Sequence, residues 1–156
     1  MHSMTKGLVA VAFLAGFGLG WTVKGDDAVV SAQGETSFMM KRIYTGDDGL
    51  SHVEEIALNA QSVMEQVTGA VVRVSQPGSF SDWHVGPSRR YIINLTDGGQ
   101  LEVADAKVDL PAGSVEYIDD LTGKGHTTSN VGQSPRVSVH LELVDQQQII
   151  GPIGQR

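Results

Sequence analysis

From Lys41 onward the chain alternates apolar and polar residues in short runs, and turn residues break these runs about every eight to twelve positions. Arg136 to Val144 shows the pattern most plainly. There Val137, Val139, Leu141 and Leu143 alternate with Ser138, His140 and Glu142, so a strand would have one apolar and one polar face. His52 to Leu58 alternates in the same way. Arg42-Ile43-Tyr44, the valine-rich Gly69 to Ser75, Arg90 to Leu95, Gln100 to Val103, Lys107 to Leu110 and Ser114 to Asp119 supply further strands. Turns are expected at Gly46-Asp47-Asp48-Gly49, Asp97-Gly98-Gly99 and Pro111-Ala112-Gly113. Asn59 to Val67 has room for a turn or two of helix, which its β-branched residues and Gly69 oppose. The pattern predicts an all-β sandwich or barrel over residues 41–145, closed by a loose tail over 146–156.

The amino terminus follows a different rule. Gly7 to Val23 is an uncharged apolar run, with Lys6 before it and Lys24, Asp26 and Asp27 after it. That order is the order of an export signal. Val30-Ser31-Ala32 offers a small-x-small cleavage site. As a helix the run would reach roughly 25 Å, just short of a full hydrocarbon core, so an uncleaved anchor is the rival reading. Residues 1–32 are therefore expected to be a signal peptide or membrane anchor, and 33–40 a linker. The expected location is periplasmic or otherwise extracytoplasmic, secreted or held by this helix, with no other membrane contact.

A chain of 156 residues has room for one folded domain, and 40% apolar against 19% charged residues is a globular composition. The formal charge of −7 argues against a nucleic-acid partner, which would need a basic face. There is no cysteine, so disulfides, thiolate metal sites and cysteine nucleophiles are excluded. Any metal would have to be held by His, Asp, Glu or neutral oxygen and nitrogen donors.

Two segments resemble the cupin superfamily. The first runs from Gly78 through Trp83-His84-Val85-Gly86 to Pro87, Arg89, Arg90, Tyr91 and Gly98. Its Gly78-to-His84 spacing matches the first cupin motif. Gly86 stands where that motif has a second His, and Arg90 or Tyr91 where it has Glu. The second is Pro111-Ala112-Gly113-Ser114-Val115-Glu116, in which Glu116 replaces the motif's His. Asp119-Asp120-Leu121-Thr122-Gly123-Lys124-Gly125-His126, with Asp48 to His52 upstream, is similar to a group of small bacterial cupins. The resemblance spans roughly residues 42–144. It implies a double-stranded β-helix, or jelly-roll, barrel with a pocket around His84 and His126, and a homodimer paired through residues 41–57.

Within such a barrel, two chemistries are open. His84 and His126 with a carboxylate from Glu116 or Asp120 would suit iron, manganese, zinc or copper, and would make a metal-dependent dioxygenase, isomerase or lyase. Without a metal, Arg89 or Arg90 would grip a small anion while the histidines hydrogen-bond it or move protons, with Trp83 and Tyr91 as pocket walls. His84, His126, Glu116 and Asp120 are then the candidate catalytic residues. A purely structural or dimerising barrel is the plainest alternative. His140 enters the pocket only if its strand has the right register. His52 and Lys124 read as surface residues. Thr122-Gly123-Lys124-Gly125 lacks the glycine cradle and following helix of a phosphate loop.

Overall fold

The computed structural model describes residues 38–58 and 65–153. The apolar run, its cleavage site and residues 33–37 of the expected linker lie outside the described residues, as do 59–64 of the short helical candidate.

Among the described residues, ten strands follow in chain order. They are β1 (Phe38–Thr45), β2 (Ser51–Leu58), β3 (Val67–Ser75), β4 (Phe80–His84) and β5 (Arg90–Asn94). Then come β6 (Gly99–Glu102), β7 (Lys107–Leu110), β8 (Val115–Asp119), β9 (His126–Asn130) and β10 (Arg136–Leu143). No helix occurs among the described residues. One sheet has six strands in the order β2-β1-β8-β5-β10-β3, and the other has four in the order β4-β9-β6-β7. β1 and β8 pair in parallel, whereas every other neighbouring pair is antiparallel.

The core lies between the sheets. Ile43, Ile92 and Ile118 from the larger sheet meet Leu101, Val103 and Leu110 from the smaller one. Fully burying each of these side chains is worth about 1.5–3 kcal/mol. The alternation that hides Ile92 also turns Arg90 and Asn94 inward, and all three are buried. Met40, Tyr117 and Leu143 form a second cluster.

Four expectations change. β1 starts at Phe38, inside the segment read as linker. Asp97-Gly98-Gly99 does not close a hairpin, because β5 and β6 belong to different sheets. Its glycines let the chain cross between them: Gly98 has φ +96°, and an added Cβ would meet Asn130 Oδ1 at 2.6 Å. His84 is expected in the loop before the strand at Arg90, and His126 just after the Thr122-to-Gly125 loop, with no strand assigned to either; His84 ends β4 and His126 begins β9. Both strands are short and polar, so alternation gave no signal for them.

The fourth change concerns the tail. Residues 146–153 are fastened along the larger sheet. Arg42 Nη2 and Nη1 donate to the carbonyls of Ile149 and Gly151, at 2.5 and 2.8 Å. Gln148 donates to Thr45 Oγ1 at 2.7 Å, and the Ile153 amide donates to Glu54 at 3.1 Å. The two carbonyls satisfy a guanidinium with no solvent exposure, which polar residues in a closing segment do not advertise in sequence.

Candidate ligand cavity

A cavity of about 420 Å³ lies between the two sheets. The six-stranded sheet contributes three guanidiniums to it: Arg73 from β3, Arg90 from β5 and Arg136 from β10. The four-stranded sheet contributes two imidazoles, His84 and His126.

The imidazoles meet because of strand register. β4 and β9 pair Ser81 with Thr128 and His84 with His126, so the β4 side spends one residue more than the β9 side. That bulge puts His84, rather than Trp83, opposite His126. The rings lie 4.6 Å apart at 55°. The strands can approach because Gly125 has φ +77° and a Cβ there would run into the His84 carbonyl.

Hydrogen bonds orient both rings. His84 Nδ1 lies 2.7 Å from the Asp82 carbonyl, which can only accept, so Nδ1 carries the proton. His126 Nδ1 lies 2.7 Å from Asp120 Oδ2, and Ser51 Oγ donates to the same oxygen at 2.8 Å. Each ring thus keeps Nε2 for whatever enters the cavity. A buried carboxylate behind His126 holds its tautomer and its ring orientation. Asp120 therefore acts through His126 and does not itself line the cavity.

Glu116 does line it, but is already engaged. Asn94 Nδ2 donates to Glu116 Oε1 at 2.6 Å, and Arg136 Nη2 lies 3.2 Å from the same oxygen. Arg136 also donates to Asn94 Oδ1 through Nε and Nη2, at 2.8 and 2.5 Å. Burial pushes the Glu116 carboxyl up, against the lowering effect of Arg136 and Asn94.

Arg90 donates to Ser88 Oγ at 2.6 Å and lies 3.5 Å from Glu142. Burial lowers its pKa, Glu142 opposes this, and Arg73 adds to it. His140 of β10 faces the same space. Its Nε2 lies 3.1 Å from Ser138 Oγ, while the buried Nδ1 has no partner among the described residues. Burial, then Arg73, Arg90 and Arg136, bring its pKa down to about 4, so the ring is neutral at pH 7.

The structure separates the other expected residues from this cavity. Arg89 pairs with Asp119 at 3.2 Å and Asp145 at 3.1 Å, and donates to the Tyr117 hydroxyl. Tyr91 donates to Glu65 at 2.9 Å, and burial drives its phenol pKa upward. Both residues line a separate, mostly apolar groove with Met40 and Ile56. Trp83 is 37% exposed and stacks under Lys124, whose Nζ is 4.0 Å from the ring centroid. Arg73 and Arg136 are cavity cations that the sequence did not single out, and His140 was held only in reserve. The inward registers of β3 and β10 were the missing information.

A metal ion fits this donor set poorly. No three His, Asp or Glu side chains gather into a cation-binding cluster among the described residues. Glu116 is held by Arg136, Asp120 is held behind His126, and three guanidiniums share the cavity. An anion matches that electrostatic setting better.

No family model and no curated protein matches the chain. Among solved structures, it is similar to a cupin domain from Bordetella pertussis, with 18% identity and a TM-score of 0.40 over 56% of this chain and 99% of that one. It is also similar to a conserved protein of unknown function from Streptococcus pyogenes, with 15% identity and a TM-score of 0.39 over 51% and 68%. A third likeness is to the capsular polysaccharide assembling protein CapF from Staphylococcus aureus, with 18% identity and a TM-score of 0.38 over 66% of this chain and 29% of that one. The described strands themselves form two β-sheets, of six and four strands, with the apolar core and the cavity between them.

Proposed function

We propose that the barrel binds a small organic anion, a carboxylate or phosphate ester, between its cationic and imidazole walls. The observation that carries this reading is the set of three guanidiniums lining one cavity in a chain of net charge −7. Arg90 and Arg136 would hold the acid group. The neutral His140 ring would lie against the rest of the ligand, and His84 and His126 would face its far end. The apolar amino-terminal run supports export or tethering, which cell fractionation of the full chain would test.

Titration calorimetry against mono- and dicarboxylates and phosphate monoesters tests the binding reading. At least one class should bind the wild type and raise its melting temperature; about 2.7 kcal/mol of stabilisation is expected at a hundredfold excess over Kd. Arg90→Ala should weaken binding about 10- to 100-fold, the worth of a lost charged hydrogen bond. A wild type that responds to none of these anions would refute the proposal.

The Asp120–His126 hydrogen bond favours a second reading in which the bound anion also undergoes proton transfer at His126 Nε2. Solvent deuterium exchange into a bound carboxylic acid, followed by NMR, would reveal it. His126→Gln should abolish exchange and leave binding within a few-fold.

A further inference from the structure

β3 ends the six-stranded sheet, and β4, the next strand in the chain, ends the four-stranded sheet. Arg73 and Ser75 of β3 and Ser81, Asp82 and His84 of β4 all line the cavity. The cavity is thus flanked by two strand edges that have no neighbour among the described residues.

The β3 edge is unusually unguarded. Natural edge strands are kept short, or carry lysine, proline or adjacent charges. The edge strand β7 is four residues long with Lys107 and Asp109, and β2 carries Glu54 and Glu55. β3 has nine residues, VTGAVVRVS, with Arg73 as its only charge. Val67, Val71, Val72 and Val74 are 47–64% exposed, so both faces of the strand present valine to solvent. Phe80 on β4 is 64% exposed as well.

We propose that a second copy of this chain pairs with β3 antiparallel about a twofold axis through Val71. Pairing about such an axis sets residues of the same face opposite one another. Well-overlapped registers therefore centre on residue 70, 71 or 72. Centring on 70 or 72 puts Arg73 opposite a valine, and centring on Arg73 itself sets two guanidiniums together. Only the Val71 register puts Arg73 opposite Gly69. Gly69 is paired on its other side with Glu142 of β10. With no side chain at Gly69, the partner copy's guanidinium has a clear path to the Glu142 carboxylate, which is 42% exposed. Charge thus selects one register, and each copy brings a cation to the Arg90–Glu142 end of the other's cavity. The homodimer expected from sequence was assigned to residues 41–57. β1 is flanked by β2 and β8, which leaves the acidic β2 as the only open edge in that segment.

The absence of cysteine makes the test direct. In full-length Val71→Cys, each thiol would face its own copy across the axis, at a spacing that a disulfide spans. Copper-phenanthroline oxidation should move most of this variant to double mass on a non-reducing gel. Val131→Cys, exposed elsewhere, should stay at single mass. Adding Arg73→Glu should cut the Val71→Cys cross-link several-fold, and adding Glu142→Arg as well should restore it. If Val71→Cys cross-links no better than Val131→Cys while melting like wild type, the dimer is refuted. If the charge swap fails to restore the cross-link, the register is refuted.

Discussion

His140 shows how much a single side chain depends on its surroundings. Nothing about Val139-His140-Leu141 marks a special imidazole. The strand register turns it inward, where it is 8% exposed and shares the cavity with Arg73, Arg90 and Arg136. Its pKa falls to about 4 as a result. Between about pH 6.5 and 4 the unfolded chain accepts a proton that the folded chain refuses, so stability falls as pH drops through this window. The contribution is about 3 kcal/mol at most. Urea denaturation at pH 7 and pH 4.5 should show a loss in wild type that His140→Asn reduces by roughly that amount. Where a motif sets the spacing, as at His84 and His126, the sequence anticipates that two side chains share one cavity. Along Arg89-Arg90-Tyr91 it does not anticipate that only Arg90 faces the cavity, because strand alternation and the turn into β5 separate adjacent residues.

Elements were legible where one face is apolar, as in β2 and β10. β4 and β9 were not, since FSDWH and HTTSN earn their strand geometry from each other and from β6 rather than from alternation. The closing segment was misjudged for a related reason. Its contribution lies in backbone groups, which have the same chemistry in any sequence. Arg42, fully buried, depends on Ile149 and Gly151 carbonyls as well as on Asp119 and Glu54. A chain ending at Asp145 would leave that guanidinium short of two acceptors and uncover Asp119. Such a truncation should cost about 3 kcal/mol, the scale of two charged hydrogen bonds partly replaced by water, read as a lower urea midpoint.

For the molecule as a whole, the barrel was readable from the spacing of turns and two motif segments, whereas the sign of its interior was not. A chain of charge −7 gathers three guanidiniums on one wall of its cavity, and no count of residues reveals that segregation. Concentrated like charge costs stability until a ligand offsets it. Arg90→Met keeps the aliphatic stem and removes one charge that burial already disfavours. It should raise the melting temperature of the ligand-free protein by a few degrees, about 1 kcal/mol, and abolish the rise seen with anions. Calorimetric scans with and without ligand would check both.

Asp119 and Asp120 sit side by side at the end of β8, yet they answer to different masters. The first is clamped by Arg42 and Arg89 beneath the closing segment, and the second steadies the imidazole of His126. One peptide unit therefore joins the chain's far end to the tautomer of a cavity base. A fusion or a crowded surface that lifts residues 146–153 would be felt as a change in imidazole chemistry on the other side of the sheet.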